Sequence, residues 1–260
     1  MISRKELVLS LREYDLLGNA AEDYISLRSR FWGSNAPVYN KEAAVLIVIT
    51  FSVDNIPSVV LTLRSEHLRR NPGEVSFPGG MRDNTDRSPL DTALREAYEE
   101  VGLIADDVQL LCRLTPTVTR SQIVYYPVVV LLKEGLKAKF TPNPSEVELI
   151  FQVPLERFLS NKNMSAVPLQ QHVPTKLASY VYFFHDSATT PPIERTEAVT
   201  TYGITAYMCI LVSVMVYRRR PAFPFNDFSN VPPTFEEYRN ISKDRFINLL
   251  QKLAEQRAKL

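Results

Sequence analysis

The chain has 260 residues, 45% of them hydrophobic and 23% charged, the balance of a globular protein long enough to bury a sizeable core. Its 30 basic and 29 acidic side chains leave a net charge of +1, which excludes the long-range basic field that nucleic acid or an anionic membrane would select. An anionic ligand must therefore be caught by a local cluster of charge.

In chain order, residues 3–32 mix charged and apolar side chains at helical spacing and predict one or two amphipathic helices. The runs AAVLIVITF (Ala43 to Phe51) and SVVLTL (Ser58 to Leu63) are rich in β-branched residues and predict buried strands, joined by a turn around Asp54-Asn55. A helical pattern follows over 89–101, then strand-like runs at Val108 to Leu114 and Ile123 to Leu132. Thr141-Pro142-Asn143-Pro144 marks a loop, followed by a strand at Leu149 to Val153, a helical pattern at 154–160 and a strand at Ser179 to Phe184. Gly203 to Tyr217 is apolar but, at about fifteen residues, short of the ~20 that cross a bilayer, so a buried helix over 204–217 is expected. A last helical pattern covers 234–257. Cys112 and Cys209 lie in apolar surroundings and read as buried core thiols. The N-terminus, Met-Ile-Ser-Arg-Lys-Glu-Leu, lacks the apolar centre of a secretion signal. The whole reads as one mixed α/β (α+β) domain over 1–260, with a core at about 40–225 and a C-terminal helical extension at about 226–260. The uneven succession of strands argues against a doubly wound sheet, and no G-x-G-x-x-G or Walker loop occurs.

The chain has eight glycines, and Gly73, Gly79, Gly80 and Gly102 crowd into one segment, GEVSFPGGMRDNTDRSPLDTALREAYEEVGL. Its helix has Ser88 as N-cap, Pro89 at the first helical position, Asp91 three residues after the cap, and Gly102 to end it. Leu90, Ala93, Leu94, Ala97 and Val101 share an apolar arc, while Glu96, Glu99 and Glu100 share another within about 100°. Three acids near a helix C-terminus repel one another and oppose the helix dipole, unless a cation offsets them. Oxygen ligands at this density suit Mg²⁺ or Mn²⁺, and the Gly79-Gly80 turn can bring bare backbone to the same face.

REAYEEVGL, Arg95 to Leu103, resembles the end of the Nudix box, G-x5-E-x7-R-E-U-x-E-E-x-G-U, with Gly80 as its opening glycine. Asp86 replaces the middle glutamate, eight residues rather than seven separate it from Arg95, and Ala97 takes the first aliphatic position. Upstream, VLTLRSEHLRRNPGEVSFPGG (Val60 to Gly80) is similar to the signature of the coenzyme A diphosphatase branch of that family, with Leu61, Thr62, Arg64, Ser65, Arg69, Gly73 and Phe77 to Gly80 in register. The resemblance resumes at NPSEVELIFQVPL (Asn143 to Leu155) and YGITA (Tyr202 to Ala206). It implies a mixed β-sheet sandwiched between helices, with additional N- and C-terminal helices. It also implies metal-dependent hydrolysis of the diphosphate bond of coenzyme A or its derivatives, giving 3′,5′-adenosine bisphosphate and 4′-phosphopantetheine or its acyl form. In this reading Glu96, Glu99 and Glu100 hold Mg²⁺ or Mn²⁺ with a carbonyl of Gly79 or Gly80, and Arg95 orients a glutamate. Glu146, in a loop-like setting before a strand, is the candidate general base, with Glu148 as the fallback, and both read equally well as solvated loop acids.

Arg64, Arg69 and Arg70, with Gly73 in the same stretch as a further substrate-binding candidate, suit the phosphates of such a substrate, because guanidinium forks match phosphate geometry. Arg70 and Arg82 read equally well as solvated side chains, and His67 as an exposed loop residue. Ala258-Lys259-Leu260 resembles the peroxisomal import tripeptide, which implies an import receptor as partner and a peroxisomal location, with the cytoplasm as the alternative. Two other readings stay open: a Nudix diphosphatase for NADH or ADP-ribose, and an inactive Nudix-fold binding module. PAFPF at 221–225 is only faintly like the motif of NADH-cleaving relatives, and the Arg64 to Gly73 stretch is foreign to them.

Overall fold

A computed structural model describes residues 2–16, 41–118, 123–133, 140–168, 180–190, 193–225 and 231–240. The chain opens with α1 (Arg4–Arg12), whose Ser3 cap and Glu6 side chain satisfy each other's backbone amides. Next come β1 (Glu42–Phe51), β2 (Pro57–Arg64), β3 (Val75–Ser76) and β4 (Gly79–Met81), then α2 (Pro89–Val101). β5 (Val108–Arg113), β6 (Thr117–Val118), β7 (Val124–Leu132) and β8 (Val147–Pro154) complete an eight-stranded mixed sheet. β9 (Met164–Pro168), β10 (Tyr180–Thr190) and β11 (Ile193–Tyr202) form a second, antiparallel sheet that leads into α3 (Gly203–Tyr217).

The main sheet is centred on the parallel pair β1–β7, in register from Glu42 opposite Val124 to Ile49 opposite Leu131. Both faces are covered, so β1 reads as a continuous apolar run. Ala44, Leu46 and Val48 pack under Ala93, Ala97 and Val101 of α2. Ile47 and Ile49 belong to the opposite core, shared with Leu7 and Leu11 of α1 and most of α3. This is the expected mixed sheet between helices. α3 is buried on nearly every side, as an all-apolar helix must be, and no helix among the described residues is long and apolar enough to cross a membrane.

Along its other edge β1 pairs with two strands in succession. Its first half holds β4, with Val45 opposite Gly79 and Ala44 opposite Gly80. Its last residues hold β2, with Ile49 opposite Val59. The candidate site lies where those partners diverge.

Several expectations need correction. The pattern at 154–160 is not an α-helix but a 3₁₀ turn at Leu155–Leu159. Leu155, Phe158 and Leu159 recur at helical spacing because one turn suffices to bury all three. β10 runs on to Thr190 and pairs with β9 and β11, neither of which was expected. Of the first predicted helical region, 4–12 is α-helix and 17–32 lies outside the described residues. Of the last, residues 235–240 are helical, and 241–257 lie outside them. Cys112 and Cys209 are buried free thiols, as expected.

Candidate active site

α2 forms where its sequence directs. Ser88 accepts the Asp91 amide and Asp91 accepts the Ser88 amide, while Gly102 ends the helix at a left-handed φ of 69°. The apolar stripe seats the helix on β1, which turns Glu96 and Glu100 toward β4. Gly79 donates its N–H to Glu100 at 3.0 Å. A Cβ on Gly80 would lie 2.4 Å from a Glu96 carboxylate oxygen, so glycine there lets the strand backbone pass directly over that side chain.

The three glutamates differ in setting. Side-chain exposure is 3% for Glu100, 15% for Glu96 and 49% for Glu99. Burial pushes the Glu100 carboxyl up to about 7, against the opposing pull of the Gly79 N–H and Arg64, and the charges of Glu96 and Glu146 push the same way. Burial also raises Glu96, opposed by Arg95 and reinforced by Glu99 and Glu146. The charge of Glu146 thus reaches both of these carboxylates. Asn143 fixes its loop, donating its own N–H to the Glu100 carbonyl and accepting the Glu146 N–H, both at 2.9 Å. Glu148, one residue into β8, is half-buried.

Arg95 holds the outer side. It reaches Asp86 at 3.0 Å, Glu96 at 3.0 Å, Glu99 at 3.1 Å and the Met81 carbonyl at 2.9 Å. Asp86 is the residue whose importance the sequence understated. Burial alone would raise its carboxyl, but hydrogen bonds from Arg95, the Asp83 amide and Thr92 outweigh burial and hold it below its ordinary value. The extra residue between Asp86 and Arg95 is absorbed in the approach to the helix, so the shorter side chain still reaches the guanidinium.

Among the described residues no three acidic, histidine or cysteine side chains form a ready metal cage, since Glu99 is drawn outward by Arg95. The donor set nevertheless fits a hard divalent cation. Glu96 and Glu100 raise each other's burden of negative charge in a buried setting, bare glycine backbone faces them, and all the donors are oxygen.

The basic residues separate. Arg64 lies 3.7 Å from Glu100 and lines a cavity of about 720 Å³ together with Arg70, Gly79 and Gly80. Arg69 is exposed and lies outside that lining. Gly73 takes a left-handed φ of 68°, where a Cβ would strike Glu66, and its N–H bonds the Arg64 carbonyl, closing the loop. Arg82 pairs with buried Glu42 at 2.8 Å. His67 is exposed. Sequence reasoning missed the cavity residues Tyr125, Ile204, Thr205 and Met208, whose alternation and helical spacing look like ordinary core. Ala258-Lys259-Leu260 lies outside the described residues.

A sheet-backed helix turns two glutamates onto a Gly-Gly strand, beside a cavity with an arginine at its edge, and the chain's family and relatives make it a diphosphate-bond hydrolase. Residues 40–174 match the family described as NUDIX domain, and the chain belongs to the Nudix family. It is 37% identical over 185 residues to peroxisomal coenzyme A diphosphatase ndx-8 of Caenorhabditis elegans, a match covering 70% of this chain and 72% of that protein. It is 34% identical over 182 residues to peroxisomal coenzyme A diphosphatase NUDT7 of Mus musculus, covering 68% and 72%. Nudix hydrolase 15, mitochondrial, of Arabidopsis thaliana is 34% identical over 183 residues, covering 70% of this chain and 61% of that one.

Proposed function

We propose that this protein hydrolyses the diphosphate bond of coenzyme A or a derivative, releasing 3′,5′-adenosine bisphosphate and 4′-phosphopantetheine or its acyl form. The observation that carries the reading is the meeting of Glu96, Glu100 and Glu146 with Gly79-Gly80 at the edge of a cavity that Arg64 and Arg70 line. Two relatives named as coenzyme A diphosphatases support the choice of substrate.

Glu96, Glu99 and Glu100, with a Gly80 carbonyl, would hold Mg²⁺ or Mn²⁺. Such an ion, when bound, neutralises the diphosphate and lowers the pKa of a coordinated water. Arg95 restrains Glu96 and Glu99 through its paired contacts, and Glu99, held outward there, would turn from Arg95 toward the ion. Glu146, on a loop rather than the helix, can take the proton of the attacking water. Arg64, Arg69, Arg70 and the loop closed by Gly73 contribute positive charge toward the phosphates.

The test is incubation of the purified protein and about 5 mM Mg²⁺ with coenzyme A, NADH and ADP-ribose, followed by chromatography, with Glu100→Gln alongside. Release of 3′,5′-adenosine bisphosphate by the wild type, reduced at least ~100-fold in the variant and abolished by chelator, is expected. Cleavage of NADH or ADP-ribose instead would sink the coenzyme A assignment, and no cleavage at all would favour a binding module. The reading extends to a peroxisomal location through Ala258-Lys259-Leu260 and the import receptor, supported by the relatives' names. A fluorescent fusion that stays diffuse in the cytoplasm would overturn it.

A further inference from the structure

Beside the glutamates, on the sheet face opposite α2, the cavity has a definite construction. Its floor is two strands in parallel register, with Ala43 beside Tyr125 and Val45 beside Pro127, and Ala43, Val45 and Pro127 are short enough to leave depth. One wall is Arg64, Asn71, Glu74 and Ser76 at the β2–β3 hairpin, and the other is Thr117 and Ile123. The roof is the first turn of α3, presenting Ile204, Thr205 and Met208 at positions i, i+1 and i+4. Burial and the neighbouring Glu74 carboxylate both raise the Tyr202 phenol, which places the start of the roof beside the hairpin wall.

Two features of the roof point to a ligand. Ile204 is 43% exposed although it opens an otherwise buried apolar helix. Gly203, in a left-handed conformation, has open space where a Cβ would be. A helix cap with no side-chain partner, at Tyr202, also leaves first-turn N–H groups for carbonyl acceptors.

We propose that this cavity holds the phosphopantetheine arm, and any acyl chain on it, and that Ile204 and Met208 set which chain lengths are accepted. The assignment rests on the coenzyme A reading above. The cavity reaches Gly79 and Gly80, so a molecule whose diphosphate lies at the glutamates continues into it along the sheet. Its lining combines hydroxyl and amide groups (Asn71, Ser76, Thr117, Thr205) with apolar ones (Val45, Ile123, Ile204, Met208), which suits an arm of amides and methylenes. Of the cations that line it, Lys41 and Arg70 are exposed, and Arg64 stands 3.7 Å from Glu100, at the diphosphate end. The volume, about 720 Å³, exceeds what one phosphate needs and falls within the ~300–1,000 Å³ of small-molecule sites.

The experiment measures kcat/KM of the full chain for free, butanoyl-, octanoyl- and palmitoyl-coenzyme A in the wild type, Ile204→Trp, Met208→Ala and the remote control Val53→Trp. Filling the roof should lower the ratio of octanoyl to free coenzyme A at least about 10-fold, and Met208→Ala should move the preferred chain to greater length. Val53→Trp, on the fully exposed β1–β2 turn, should leave the chain-length profile as in the wild type. A profile unmoved by both cavity variants overturns the assignment. If the wild type cleaves no coenzyme A species, the substrate reading has failed separately. Calorimetry with S-octanoyl-4′-phosphopantetheine then decides the cavity: binding weakened at least about 10-fold by Ile204→Trp upholds it, and no binding to the wild type overturns it.

Discussion

At the scale of single residues, Glu100 sets a pH dependence that can be checked. Its carboxyl titrates at about 7 in the folded protein, against an ordinary value of 4.5. Between those values the folded protein keeps a proton that the unfolded chain has released, so the stability of metal-free protein falls as pH rises through that window. Glu100→Gln removes the buried charge while an amide oxygen can still accept the Gly79 N–H. In chelator, the variant should be more stable than the wild type at pH 8 by roughly 1–3 kcal/mol, and the difference should close as pH falls toward ~4.5. Urea titrations at both pH values measure this; a gain independent of pH would mean that burial is not its source. Glu96, Glu99, Glu100 and Arg95 were legible as a motif because helical spacing alone puts them near one another. That Glu99 stays half exposed on Arg95 while Glu100 is enclosed was not legible, since the difference comes from where β4 and the Asn143 loop lie against the helix.

Among elements, β4 shows how two adjacent glycines perform separate tasks. A Cβ on Gly79, at φ 152°, would lie 2.4 Å from the Ala44 carbonyl oxygen, a backbone atom that cannot move without breaking the β1 pairing. A Cβ on Gly80 would instead meet the carboxylate end of Glu96, which can swing away. Gly79→Ala should therefore lower stability by about 2 kcal/mol or more. Gly80→Ala should fold with little loss and lower kcat at least ~10-fold, because the displaced group is a candidate metal ligand. Thermal unfolding beside steady-state kinetics separates the two, and equal unfolding of both variants would contradict the division. The Gly-Gly pair stood out in the sequence, yet only the register against β1 distinguishes their roles. α2 was legible to its ends because its stop signals are local: Ser88, Pro89 and Gly102 satisfy or terminate the backbone within a few residues. β11 was not, since its alternating polar residues gain a strand's hydrogen bonds only from β10.

Over the whole molecule, segments far apart in sequence are joined by a small buried network. Tyr14, which follows α1, donates to the Pro233 carbonyl at 2.6 Å and meets the Tyr238 ring edge-on. The Tyr238 hydroxyl accepts the Thr115 N–H at 2.9 Å, next to the end of β5. Tyr238→Phe should cost roughly 1–2 kcal/mol, because the Thr115 amide loses that acceptor inside the protein. Its kcat should be unchanged, as the network lies in the core away from the glutamates; a fall in kcat without a fall in stability would link this network to the site. What the sequence by itself determined is what short-range physics can specify: the capped helix and its carboxylate face, the paired glycines, the apolar strands, and a family motif carried on contiguous residues. The tertiary structure alone decided which glutamate is enclosed, that Asp86 anchors Arg95, that Glu146 comes alongside from a separate loop, and that a helix from the far end of the chain roofs the cavity. Those outcomes depend on strand register and on burial from several directions at once, and no local window of residues contains that information.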